Sequence, residues 1–231
     1  MNWLIKALSS SVGKKFVMAL TGLLLCGFLV VHLAGNLLLY VGADAYNKYA
    51  HTLHSQEWFV KIAEVGLLVL FVAHIVLASI TARENREARQ VRYLAKTSKL
   101  DACETTSPAP GSAETWMFIS GAVVLFFLVW HLADFHFDLR LKGPSGEQPF
   151  DKAVRILNDT WSSWIYLFGC IILGIHLTHG FSSAFQSLGI NHPKYNTLIR
   201  WFGIVFAIVI GGGFALFPVW RWLLYQTPTA G

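Results

Sequence analysis

Five stretches of this chain carry no charged side chain: Phe16 to Ala43, Val65 to Ala82, Thr115 to Ala133, Thr160 to Pro193 and Trp201 to Trp220. A hydrocarbon layer of ~30 Å takes ~20 mostly apolar residues of helix, and a helix satisfies its own backbone where no water can. The pattern predicts an all-α membrane protein with five transmembrane helices, near 16–41, 58–82, 115–137, 161–185 and 200–224, forming one integral domain over 1–231. Composition agrees, with 55% of the 231 residues hydrophobic and 13% charged, about half the charge of an ordinary soluble domain. A disordered chain, a nucleic-acid-binding tail and a water-soluble enzyme are excluded on these grounds.

Five spans put the termini on opposite sides. Lys6, Lys14, Lys15, the group Arg83, Arg86, Arg89, Arg92, Lys96 and Lys99, and then Lys194 and Arg200 give one side eleven basic residues. The other side holds seven: Lys48, Lys61, Arg140, Lys142, Lys152, Arg155 and Arg221. The richer side is expected to be cytoplasmic, so the N-terminus reads as inside and the C-terminus as outside. The net charge of +5 thus reports orientation and gives no sign of nucleic acid. The six-residue group predicts a cationic helix over 83–99 that continues the second span, as a face for headgroups or a cytoplasmic partner. A Ser/Thr/Pro/Ala-rich linker follows over 100–114. Gly143, Pro144, Gly146 and Pro149 predict an irregular outer loop over 140–159. The N-terminus reads as uncleaved, because its apolar run is too long for a signal peptide. Cys26, Cys103 and Cys170 stand far apart and form no metal or haem-attachment motif; Cys26 and Cys170 read as packing residues.

Of nine histidines, four lie inside spans: His32, His74, His131 and His176, one in each of the first four. A lone intramembrane histidine can be a satisfied polar group between helices, but ionisable residues there point first to function. The depths of these four match. His32 and His131 each lie 16 residues into an outward-running span, ~24 Å from the inner surface at the helical rise. His74 and His176, eight and nine residues before the ends of inward-running spans, sit at ~12–14 Å. The result is an outer pair and an inner pair separated by ~10–12 Å. Two nitrogens leave zinc short of its usual four ligands, whereas a b-type haem needs two axial ligands. Two stacked bis-histidine haems account for all four residues, with the first four spans as the haem-binding bundle.

An internal repeat supports this. Thr21-Gly22 precedes His32-Leu33-Ala34 by the same spacing as Ser120-Gly121 precedes His131-Leu132-Ala133. The glycines Gly22 and Gly121 read as room for a flat ring at the inner depth, with small-residue helix contact as the plainer alternative. His179, one turn from His176, competes as inner ligand or as a partner for a haem propionate. His51, His54 and His192 read as loop residues, and His136 as the outer end of span three.

On these residues the chain resembles the di-haem cytochrome b membrane anchor of succinate dehydrogenase and quinol:fumarate reductase, of the type with one five-span polypeptide. The resemblance covers nearly the whole chain. It is carried by the four histidines, by Ala45-Tyr46-Asn47-Lys48-Tyr49-Ala50-His51, by Trp130-His131, and by His176-Leu177-Thr178-His179-Gly180-Phe181-Ser182-Ser183-Ala184-Phe185-Gln186-Ser187-Leu188-Gly189. The 13-residue spacing from His176 to Gly189 matches the family's fourth-span ligand and favours His176 over His179. Some fumarate-reducing members carry a glutamate two residues before that ligand, implicated in transmembrane proton transfer. Gly174 stands there in this chain, which puts that route in doubt.

The resemblance implies a bacterial cytoplasmic membrane and two haem b groups. It also implies a cytoplasmic iron–sulfur subunit, and a flavoprotein with covalent FAD that interconverts succinate and fumarate. A quinone, expected to be menaquinone, would meet the outer haem, and the complex could pair as a dimer of heterotrimers. Quinone chemistry moves protons with electrons and needs a titratable group near a haem. Glu64, ten residues outward of His74, ranks first, with a headgroup-facing role beside Lys61 as its plainer alternative. Asp134 and Asp138 near the outer rim follow it. A di-haem cytochrome b of a hydrogenase or formate dehydrogenase, and a transporter with a histidine proton relay, are the competing readings.

Overall fold

The computed structural model describes residues 3–88 and 113–224, and every regular element among them is helical. In chain order these are α1 (Trp3–Ser9), α2 (Ser11–Asn36), α3 (Leu38–Val41), α4 (Ala43–His54), α5 (Glu57–Glu87), α6 (Ala113–Phe135), α7 (Pro149–Asn158), α8 (Thr160–Ser187), α9 (Pro193–Ala207), a π-helical turn (Ile208–Gly212) and α10 (Gly213–Leu224). Five helical stretches are long and apolar enough to cross a membrane: Ser11–Val41, Glu57–Glu87, Trp116–Phe135, Thr160–Ser187 and Pro193–Trp222.

Local chemistry fixes the helix ends. The Ser10 hydroxyl accepts the Gly13 N–H at 3.1 Å and starts α2 ahead of the expected residue 16. Gly42, at φ +128, separates α3 from α4 in a conformation that side chains resist. Asp159 caps α8 by accepting the Ser162 N–H at 2.9 Å. Gly189, at φ +84, closes α8 as a left-handed residue just past a helix. His192 and Pro193 start α9, with the histidine ring accepting the Lys194 N–H at 3.2 Å, so the fifth span also begins earlier than 200.

The spans form a ring in which α2 packs on α5 and on α8, and α8 packs on α6. The seam between α5 and α6 is the loosest. The fifth span lies against α8 and touches α2. Val65, Leu68, Val69, Val72 and Val76 of α5 face outward, which costs nothing where the surroundings are as apolar as the side chains. Lys14 and Glu84 pair across the inner ends of α2 and α5.

Three expectations need correction. The outer loop is not wholly irregular: Pro149 stands in the first turn of α7, where its missing N–H has no partner to lose. Phe150, Ala153, Val154, Ile156 and Leu157 are buried on that helix. The segment after span one is also helical, so His51 and His54 are exposed residues of α4 rather than of a loop. The Asn47 side chain accepts the Phe150 N–H at 2.9 Å, and His51 Nε2 lies 2.9 Å from Gln148 Oε1. These contacts bind α4 to α7 as a lid over the bundle. Finally, α6 begins at Ala113, inside the expected linker. The rest of the expected basic helix and linker, from 89 to 112, lies outside the described residues, as does Cys103. Cys170 is buried and Cys26 half-buried.

Candidate functional site

The outer pair meets directly. The rings of His32 on α2 and His131 on α6 stand 5.9 Å apart, centroid to centroid, at 78°. Two imidazoles sharing one metal, each nitrogen ~2 Å from it, set their centroids about 6 Å apart. Aromatic rings surround them: Phe28 and Phe214 on His32, and Phe127, Phe135 and Tyr166 on His131. Nδ1 of His131 is buried with no hydrogen-bond partner among the described residues. An orphaned ring nitrogen in such a shell is costly.

The inner pair is held differently, and the repeat explains how. His74 lays its Nδ1–Cε1 edge on α2, with Nδ1 3.2 Å from the Met18 carbonyl and 3.4 Å from Thr21 Oγ1. A Cβ on Gly22 would come 3.1 Å from His74 Cε1. His176 repeats this on α6: Nδ1 is 3.1 Å from Ser120 Oγ, and a Cβ on Gly121 would come 3.3 Å from Cε1. The group that needs the glycine is therefore the imidazole itself. The contacts level His74 with Gly22 and His176 with Gly121. Both glycines stand ten residues before an outer histidine, so the two levels are ~15 Å apart, wider than the expected ~10–12 Å.

The histidines group in twos: among the described residues no three His, Cys, Asp or Glu converge as metal ligands. Two imidazoles suit a group that brings four nitrogens of its own. The facing outer rings, the orphaned Nδ1 and the two glycine cradles fit a haem at each level.

The other candidate residues separate clearly. His179 is exposed and has no such cradle. Glu64 is half-exposed, and its ion partner among the described residues is His136, just past the end of α6 and 4.0 Å away, rather than Lys61. Asp134 is fully buried, with Arg140 Nε at 3.0 Å and the Ser162 hydroxyl at 3.2 Å, and with Tyr166 as a third donor at 3.4 Å. Arg140 also lies over the Trp130 ring at 4.5 Å. Asp134 thus ties α6 to α8 beside the outer pair, closed off from an entering molecule. Asp138 pairs with Lys152 at 2.7 Å.

Charge on the outer rim is paired as well. Arg155 grips Glu147 at 2.7 and 2.6 Å and holds its carboxyl below the usual range, against the opposing effect of burial. Burial would raise Asp159, but the Ser162 N–H and hydroxyl, with Arg140, bring it below its ordinary value.

The sequence reading missed Thr21 and Ser120 as partners of the inner rings, although both stood in the repeat. It also missed Phe214, because a span without histidine gave no signal that it lines the outer pair. No protein-family model matches this chain, and no curated protein or solved structure matches it either.

Proposed function

We propose that this chain is the di-haem b membrane anchor of a succinate:quinone oxidoreductase or quinol:fumarate reductase. The observation that carries the reading is the two-level arrangement: His32 facing His131, and His74 and His176 seated on matching cradles ten residues below. A b-type haem, when bound, would supply a one-electron iron centre and take two ligands from the protein.

His32 and His131 hold the outer group, and His74 and His176 the inner one. The Phe28, Phe127, Phe135 and Phe214 rings exclude water from the outer level. Glu64 stands ten residues before His74, ~15 Å outward by the helical rise, and so is level with the outer pair. There it exchanges a proton with a quinone, taken to be menaquinone, at the loose α5–α6 seam beside His136. The side rich in Lys and Arg faces the cytoplasm of a bacterial cell, where an iron–sulfur subunit docks and an FAD flavoprotein carries out the dicarboxylate chemistry.

Purification of the intact assembly tests this. Two b-type haems per chain and a co-purifying covalent-flavin subunit are expected. A reduced-minus-oxidised spectrum without a b-type band would overturn it. Haem without the flavoprotein would move the chain to another respiratory complex.

A further inference from the structure

The inner pair's hydrogen bonds settle which ring nitrogen carries the proton. Thr21 Oγ1 lies 3.0 Å from the Val17 carbonyl and 2.9 Å from the Met18 carbonyl. A hydroxyl has one proton, so Thr21 spends its proton on the backbone and offers only lone pairs to His74. The second atom facing His74 Nδ1, the Met18 carbonyl at 3.2 Å, is also an acceptor. Nδ1 must therefore be the N–H, and Nε2 of the neutral ring keeps a bare lone pair. On α6 the Met117 carbonyl plays the part of the Met18 carbonyl: it hydrogen-bonds the His176 ring and also accepts the Ser120 hydroxyl at 3.1 Å, whose oxygen faces His176 Nδ1 at 3.1 Å.

The outer pair has no such device. His131 Nδ1 has no partner among the described residues. His32 Nδ1 faces, at 3.4 Å, the Asn36 amide nitrogen, a donor with no lone pair to accept a ring N–H, which also donates to the His32 carbonyl at 2.8 Å.

We infer that Thr21 and Ser120 are paired positioning residues: each, together with the backbone carbonyl three residues before it, holds the Nδ1–H tautomer of the facing inner histidine and leaves its Nε2 free to bind iron. The inference rests on the haem reading and adds to it the identity of the groups that orient the inner ligands. Such an acceptor raises ligand basicity, and its loss commonly costs 10–100-fold in metal affinity.

The test uses the intact complex with Thr21→Val and Ser120→Ala, and with Thr21→Ser and Ser120→Thr as hydroxyl-retaining partners. Haem content per chain, the midpoint potentials of the two b components and their low-spin resonance lines are read together. Thr21→Val and Ser120→Ala are expected to shift the inner component and weaken its haem retention about 10-fold or more. The outer component should stay in place, which also reports an intact fold, and the hydroxyl-retaining variants should restore wild-type values. Unchanged potentials and lines in both Thr21→Val and Ser120→Ala would overturn the inference alone. A shift as large in Thr21→Ser as in Thr21→Val would overturn it too, because keeping the hydroxyl would then make no difference. A wild-type complex with no b-type signal would remove the haem reading, and the inference with it.

Discussion

A Cβ built on Gly211 would lie 2.7 Å from the Cα of Gly174, a close approach possible only because residue 211 lacks a side chain. This is where the fifth span crosses α8, and the π-helical turn at Ile208–Gly212 lies at the crossing. The side-chain direction of Gly174 points into the same crossing: a Cβ there would meet the Ala207 carbonyl and Gly211 Cα at 3.4 and 3.5 Å, ordinary contact for a methyl but an obstacle to a longer side chain. Gly211→Ala is expected to cost about 1–3 kcal/mol by overpacking, measured as a lower thermal midpoint of the solubilised protein. Gly174→Glu should cost more. It should not install a working carboxylate, because the direction it takes is toward the fifth span. Normal stability of Gly174→Glu would refute the crossing.

Gly22 and Gly121 offer a matched pair of tests. An added methyl at either one meets an imidazole Cε1, at 3.1 and 3.3 Å, so the ring must retreat by a few tenths of an ångström. Gly22→Ala should disturb His74, and Gly121→Ala His176, each lowering inner-haem occupancy while the outer component persists. Gly27→Ala, with open space around its Cβ position, should change neither. Haem-to-protein ratio with resolved redox titration reads all three.

The histidine levels were legible because a helix in lipid converts residue number into depth at a fixed rise, and ionisable residues stand out against an apolar background. The separation came out too short because depth was counted from charge boundaries. Those boundaries misplace helix ends wherever a cap such as Ser10 lies outside the charge-free run. α7 was hidden because Pro149 signals both a loop and a helix start, and only the buried row of Ala153, Ile156 and Leu157 decides between them. The role of Thr21 was illegible because a hydroxyl bonded to its own helix looks inert until the neighbouring ring is placed beside it.

Glu147 should give the outer lid an acid-sensitive component. Its folded-state value is depressed, chiefly by the Arg155 hydrogen bonds. The pair therefore stabilises the fold fully above the unfolded carboxyl value of about 4.3, and the contribution is lost as pH falls through the lower folded value. Glu147→Gln should remove this part of the acid transition and leave stability above that range falling only by the loss of one ion pair. Thermal midpoints measured across the acid range in wild type and variant check the sign. A wild-type curve no steeper than the variant's would contradict it.

Glu64 stands ten residues before His74 on α5, and its carboxylate lies 4.0 Å from His136, five residues beyond His131. If it moves the quinone proton, Glu64→Gln should lower quinone turnover by about 100-fold, the lower end of what a positioned acid–base group contributes. Haem content and potentials should hold, since neither cradle involves this side chain. His136→Gln removes the imidazole partner but keeps a polar group at the seam. It should leave much of the rate and change the pH profile of turnover, because the ring that faces the Glu64 carboxylate is gone. A residue with a purely structural role at the helix end would change stability and leave that profile fixed. Steady-state quinone assays over pH, run on membranes with equal haem loading, separate the two outcomes. An unchanged profile in both variants would remove Glu64 from the proton path.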